Sequence, residues 1–230
     1  MYRKSLLTLT IVFCVILGYA LSAVAVELAF EAEGANTIEA PMVVAVPADA
    51  TAQGGPEPDA PSGDKFVWTP GPPTTGGGGE GFMEFVINIP EAGTYAIWGR
   101  VIAWDGNSDS FWVTVVPPDP DENPQETENT EYRWAVAQGN EWHWDRINQW
   151  LDGGTFDREW DLPKGEVTIK IWTREDATML DCIYITDNLS EDEAEVNPKL
   201  PAELPPPQPG TAVEPHGKLT TTWASMKAIR

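Results

Sequence analysis

Residues 82–104 read FMEFVINI, PEAG, TYAIWGRVIAW: a run from Phe82 to Ile89, the four residues Pro90-Glu91-Ala92-Gly93, and a run from Thr94 to Trp104. Both long runs are rich in β-branched and aromatic residues, and the Pro/Gly-bearing tetrapeptide between them has turn composition. Such a pattern predicts two strands meeting at a turn. The same signal recurs outward in both directions. Strands are expected at 27–33, 40–46, 66–69, 110–116, 132–137, 142–150, 156–161, 166–173 and 179–186. No stretch within this region carries a helical period. Many short, antiparallel-looking strands separated by turn clusters define an all-β fold, a two-sheet β-sandwich or jelly roll.

Three segments interrupt the strands. Residues 54–64 (GGPEPDAPSGD) and 70–81 (PGPPTTGGGGEG) are Pro/Gly loops, and 117–131 (PPDPDENPQETENTE) is an acidic loop too polar to pack. No internal repeat is present. Residues 26–190 hold the apolar and aromatic content, enough for one domain with a full core.

The two ends differ from this domain. Arg3 and Lys4 precede an apolar run from Leu6 to Leu21, and Ala23-Val24-Ala25 offers an A-x-A cleavage site. Residues 1–25 therefore read as a secretory signal peptide, which places the protein outside the cell or in the cell envelope. No membrane insertion is expected after cleavage. Residues 191–217 read as an acidic and then Pro-rich linker. Residues 218–230 (KLTTTWASMKAIR) carry Leu219, Trp223, Met226 and Ile229 along one helical stripe. That segment is either a docking peptide for an envelope or sorting partner or a frayed tail.

The formal net charge is −22. Cleavage would remove Arg3 and Lys4 and no acid, leaving the mature chain more acidic still. Such a surface repels phosphate and excludes nucleic acid as a partner. It suits a cation ligand or a neutral sugar. Cys14 would leave with the signal, so Cys182 stands alone in an apolar strand and acts as a small hydrophobe.

Four motifs occur in order: Phe30-Glu31-Ala32-Glu33, then Ala92-Gly93-Thr94-Tyr95 continuing to Arg100, then Lys164-Gly165-Glu166-Val167-Thr168-Ile169, then Leu180-Asp181-Cys182-Ile183-Tyr184-Ile185. This order resembles carbohydrate-binding module families 6 and 35, the galactose-binding-like β-sandwiches, over most of residues 27–186. The resemblance implies the same fold, a polysaccharide or glycan partner, and a structural calcium held by Glu31, Glu33 and Asp181. The side chains themselves pose the same question. Glu31 and Glu33 lie two apart on an expected strand, so two like charges share a face and need a cation or an Arg between them. Asp181 lies in an apolar strand and needs a partner too, calcium or else Arg100 or Arg174.

Sugar recognition takes an aromatic face for the C–H side of the ring and amide or carboxylate groups for its hydroxyls. The chain has eleven Trp. Trp104, at a strand end, is followed by Asp105, Asn107 and Asp109 in a polar turn. Trp142, and the turn holding Glu175 and Asp176 after Trp172, are comparable. These seven residues are the expected ligand-binding set, whereas Trp98, Trp112, Trp144 and Trp172 fall inside strands and read as core. The acidic loop departs from the resembled pattern, so no sugar contact is carried over from those families. No H-E-x-x-H, G-x-S-x-G or P-loop occurs, which argues against an enzyme. A structural or adhesion module making protein-protein contacts is the alternative function on the same fold.

Overall fold

The computed structural model describes residues 25–71, 80–151 and 154–205. Residues 1–24, which the sequence reading assigns to a signal peptide, and residues 218–230, which it reads as a docking peptide or a tail, lie outside the described residues. In chain order the strands are β1 (Glu27–Glu31), β2 (Thr37–Ile38), β3 (Val43–Ala45), β4 (Phe66–Trp68), β5 (Phe82–Ile89), β6 (Gly93–Ala103) and β7 (Ser110–Val116). They continue with β8 (Arg133–Ala135), β9 (Gly139–Arg146), β10 (Asn148–Leu151), β11 (Gly154–Asp157), β12 (Trp160–Leu162), β13 (Gly165–Thr173) and β14 (Met179–Thr186).

Two antiparallel sheets make the sandwich. In the larger, β14 pairs β6 on one side and both β1 and β4 on the other; β3 extends β4, while β9 and β12 share the far edge of β6. The smaller sheet runs β2-β5-β13-β7-β8. β10 and β11 form a separate hairpin.

Period-two alternation decides which face is inside. In β5, Met83, Phe85, Ile87 and Ile89 are buried while Phe82, Glu84, Val86 and Asn88 are half-buried. Val167, Ile169 and Ile171 of β13 and Phe111, Val113 and Val115 of β7 join them. Ile97 and Val101 of β6 and Leu180, Ile183 and Ile185 of β14 meet them from the other sheet. Trp134 and Trp160 complete this core. The all-β expectation therefore holds. The strands at 142–150 and 156–161 each divide, giving β9 with β10 and β11 with β12.

Three expectations need correction. Pro47–Ala52 is a short helix, α1, in a domain expected to have none. Pro47 occupies its first turn, and the Asp49 carboxylate accepts from Val46 N at 2.9 Å, so local capping chemistry makes a helix too short to show a period. The acidic loop 117–131 does pack. It contains a helical turn, α2 (Pro124–Thr127), and its polar groups are matched one by one. Asp119 accepts from Arg158, Trp160 and Val115, and the Gln125 amide donates to the carbonyls of Gly81 and Thr173. The domain also extends past residue 190. Helix α3 (Glu193–Val196) brings Val196 into a buried cluster with Ala96, Trp98 and Tyr184, joined by Leu189 and Leu204. Val196 and Leu204, two apolar side chains among the acids and prolines, suffice to dock a segment that composition marks as linker. Among the described residues no helix is long and apolar enough to cross a membrane.

Candidate functional site

Three regions of the surface carry unsatisfied or convergent polar chemistry. The first is where β1 ends beside β14. Glu31 is opposite Cys182 in that ladder, and the β14–β6 register slips between Leu180 and Cys182. A bulge re-aims the side chain at the slip. Here that residue is Asp181, which is fully buried and ion-paired to Arg100. Burial raises its carboxyl to about 7 although Arg100 pulls the other way. Ser62 donates its hydroxyl to Glu31 Oε1 at 2.7 Å. Glu33 approaches the same turn: Gly63 has φ +62°, and a Cβ there would stand 2.4 Å from Glu33 Oε1. Glycine is required at this position twice over, for the left-handed backbone and for the carboxylate. Burial and the nearby Glu31 raise the Glu33 pKa.

Glu31 Oε2, Glu33 Oε2 and Asp181 Oδ1 are all buried and accept no hydrogen bond. A buried carboxylate oxygen without a partner is costly. The three oxygens therefore constitute an unmet demand for positive charge, and their chemistry fits a hard cation such as calcium. Among the described residues, no group of three or more His, Cys, Asp or Glu side chains is already arranged to hold a metal ion. Arg100 occupies Asp181 Oδ2, so the Arg partner weighed from sequence is present. Cys182, buried beside Asp181, has its thiol pKa pushed far up by burial and is inert.

The second region is the end of β6. Trp104 and Asp105 line a cleft of about 490 Å³ together with Gly54, Gly55, Pro56 and Asn140. Trp104 stands edge-on to Trp68, with ring centroids 6.5 Å apart. Gly55 lies directly against it, since a Cβ at Gly55 would stand 1.2 Å from the Trp104 ring. The remaining expected residues disperse. Asn107 is turned onto its own loop, both its backbone and side-chain nitrogens donating to Asp105 Oδ1. Trp142 packs on Phe66 and under Arg100, and its indole donates to Asp59 O at 3.0 Å, outside the cleft lining. Asp176 lies against Gly71.

Asp109 and Glu175 come together, Glu175 buried and Asp109 half-buried beside it. Glu175 Oε2 accepts from Asp109 N and from Ser110 Oγ, while Arg174 binds both Ser110 and Glu175 Oε1. These donors hold Glu175 below the usual glutamate range despite its burial. Burial and the charge of Glu175 raise Asp109. Glu175 is a buried anchor for the loop, with no free oxygen for a ligand.

The third region was not anticipated. Phe82, Trp172, Trp112 and Arg133 lie in register across β5, β13, β7 and β8 on the outer face of the smaller sheet. The two Trp read as core are indeed buried, but outside the sandwich, beneath the acidic loop, with Tyr132 in the same cluster. At the Arg133 end a second cleft of about 290 Å³ opens, lined by Trp112, Trp150, Arg133, Arg174, Gln125 and Glu128 among others.

A two-sheet antiparallel sandwich bearing indole-lined surface clefts defines the class of molecule. No family model matches the chain, and no curated protein matches it. Among solved structures it is similar to a family 35 carbohydrate-binding module from Clostridium thermocellum, with 20% identity and TM-score 0.43, covering 69% of this chain and 97% of that one. The C-terminal family 6 module of a laminarinase from Zobellia galactanivorans gives 16% identity and TM-score 0.44, covering 70% and 99%. A β-(1,4)-mannanase with a family 35 module from Podospora anserina gives 17% and 0.45, covering 72% of this chain; the chain spans only 28% of that enzyme. These modules are from the two families that the sequence motifs resemble.

Proposed function

We propose that this is a secreted, non-catalytic carbohydrate-binding module whose sugar site is the Trp104 cleft. The observation that carries the reading is the meeting of an indole with the Asp105 carboxylate and the Asn140 amide in one open cleft. Those are the two kinds of group a sugar ring requires, apolar surface for its C–H face and polar groups for its hydroxyls. The apparent signal sequence and the lack of any motif with a catalytic mechanism support the secreted and non-catalytic parts. Residues 218–230, on their Pro-rich tether, would attach the module to an envelope or sorting partner.

Trp104→Ala is expected to weaken binding of neutral polysaccharides by roughly thirtyfold, the loss of a typical buried aromatic anchor. Affinity electrophoresis against mannan, xylan and β-glucan gels measures it. Migration of the unsubstituted protein unretarded through every gel would remove the assignment.

The same reading includes a structural calcium. Glu31, Glu33 and Asp181 would hold it through their unpartnered oxygens. The ion would supply charge compensation and rigidity, and no chemistry on the sugar. Calcium at a hundred times its dissociation constant stabilises a folded protein by about 2.7 kcal/mol. For a domain of this size that is a rise in Tm of roughly 5–10 °C. Equal melting temperatures in calcium chloride and in EDTA would rule the ion out.

A further inference from the structure

Among the described residues, three exposed large apolar side chains are neighbours: Val43, Val44 and Val46, at 39, 44 and 41%. They lie on or just after β3, the end strand of the larger sheet. β3 pairs β4 on one side, and among the described residues no strand pairs its other side. Such an edge offers a row of main-chain N–H and C=O groups, and proteins usually guard it with Lys or another charge. None stands here. Residues 40–56 hold one charged side chain, Asp49, and its carboxylate turns back to accept from Val46 N. A cleft of about 310 Å³ lies beside the strand, lined by Trp68, Pro70 and α1 as well as by β3 itself.

Two further features select what fits this edge. The first is charge. At a net charge of −22, two copies of this chain repel one another over most of their surfaces, and approach costs least where neither presents an acid. The second is symmetry. The stretch Pro41-Met42-Val43-Val44-Ala45-Val46-Pro47 has one proline three residues before Val44 and another three residues after it. Proline has no N–H, so a ladder stops at each end of the stretch. A second copy laid antiparallel, with Val44 on the two-fold axis, sets Val43 against Ala45, Met42 against Val46 and Pro41 against Pro47. Every pair across that axis is apolar. Residues 218–230 carry Lys218, Lys227 and Arg230 and no acid, and a strand without acids gives their charges no partner.

We propose that two copies of this chain pair through β3, antiparallel and in that register, so that their larger sheets become one continuous sheet. The arrangement is isologous and uses up both edges, so association ends at a dimer. Val46 N is already taken by Asp49, which confines main-chain pairing to Val43–Ala45. The contact is therefore short, and burial of valine side chains along the flanking clefts supplies the rest of the attraction. A dimer carries each surface site twice, and a polymer with repeated binding sites engages both. The pairing does not rest on the carbohydrate reading.

Sedimentation equilibrium of the whole mature chain, over a roughly hundredfold range of concentration, measures the dimer constant. Dimerisation is expected to tighten by about threefold or more as salt is raised, because screening removes repulsion between acidic copies. Val44→Lys and Val44→Glu should each weaken it by roughly tenfold or more, since on the axis either charge faces its own kind. Phe156→Ser, at an exposed apolar side chain elsewhere, should leave it unchanged. Val44→Cys should link the dimer under mild oxidation, because opposed Cα atoms of an antiparallel pair stand about 4.5–5.5 Å apart, within reach of a disulfide. Val46→Cys, which faces Met42 of the second copy, should not. A monomer at every concentration and salt would overturn the proposal. So would a dimer indifferent to both charges at Val44, or opposite responses to Lys and Glu, which would mark a charged occupant such as residues 218–230.

Discussion

Arg100→Ala is expected to destabilise the domain by about 3–5 kcal/mol, the usual cost of removing one member of a buried ion pair. Asp181 is fully buried, its Oδ2 is bound by Arg100, and its Oδ1 already has no partner. Without the guanidinium the carboxyl keeps only the weak Cys182 thiol donor at Oδ2 and is driven further toward its protonated form. Stacking of Arg100 over Trp142 at 5.6 Å is lost as well. Urea unfolding in EDTA measures the full effect. Arg100→Ala combined with Asp181→Asn should recover part of it, because the buried charge goes with its partner. If calcium occupies the Glu31 corner, its addition should also recover part of the loss, since the ion compensates the same carboxylate. A loss below about 1 kcal/mol for the single variant would mean that Asp181 is matched by something else.

Arg158→Ala is the second large effect, expected at about 3 kcal/mol and accompanied by loosening of the acidic loop. Arg158 grips both oxygens of Asp119 at 2.9 and 2.8 Å, donates to Val113 O, and stacks on Trp160 and Tyr132. Asp119 is one of the residues that fasten residues 117–131 to the sandwich, beside Gln125 and Asp121. Once released, the loop would uncover Trp112 and Trp172. Hydrogen exchange at 117–131 should then accelerate more than exchange in β5 or β14. Uniform acceleration through the whole domain would show that Arg158 supports the core instead of the loop.

Much of the architecture was legible from composition alone. The runs 82–89, 110–116 and 179–186 became strands with those same ends, because β-branched and aromatic runs between Gly, Pro and Asp have few other stable uses. Trp104 and Asp105 were legible as neighbours on one surface cleft because strand end and turn are adjacent in the chain. Glu175 was misplaced: an acid in a turn looks solvated, and only the arrival of Ser110 and Arg174 from elsewhere in the fold makes it a buried anchor. Gly55 carried no signal, since it stands near no aromatic residue in sequence, and Asn140, two residues before Trp142, reaches the Trp104 cleft only through the pairing of β9 with β6. The acidic loop misled most. Its fifteen residues hold almost nothing apolar, yet Asp119 and Gln125 find partners 39 and 48 residues away.

What the sequence by itself determined was the alternation of each strand and hence the existence of two facing sheets, since a period of two is a property of neighbouring residues. What only the tertiary structure decided was which polar groups end up alone. The slip at Asp181 and the row from Phe82 to Arg133 both depend on register between strands far apart in the chain. Hydrogen-bond satisfaction is a property of pairs, and the chain order does not state the pairs.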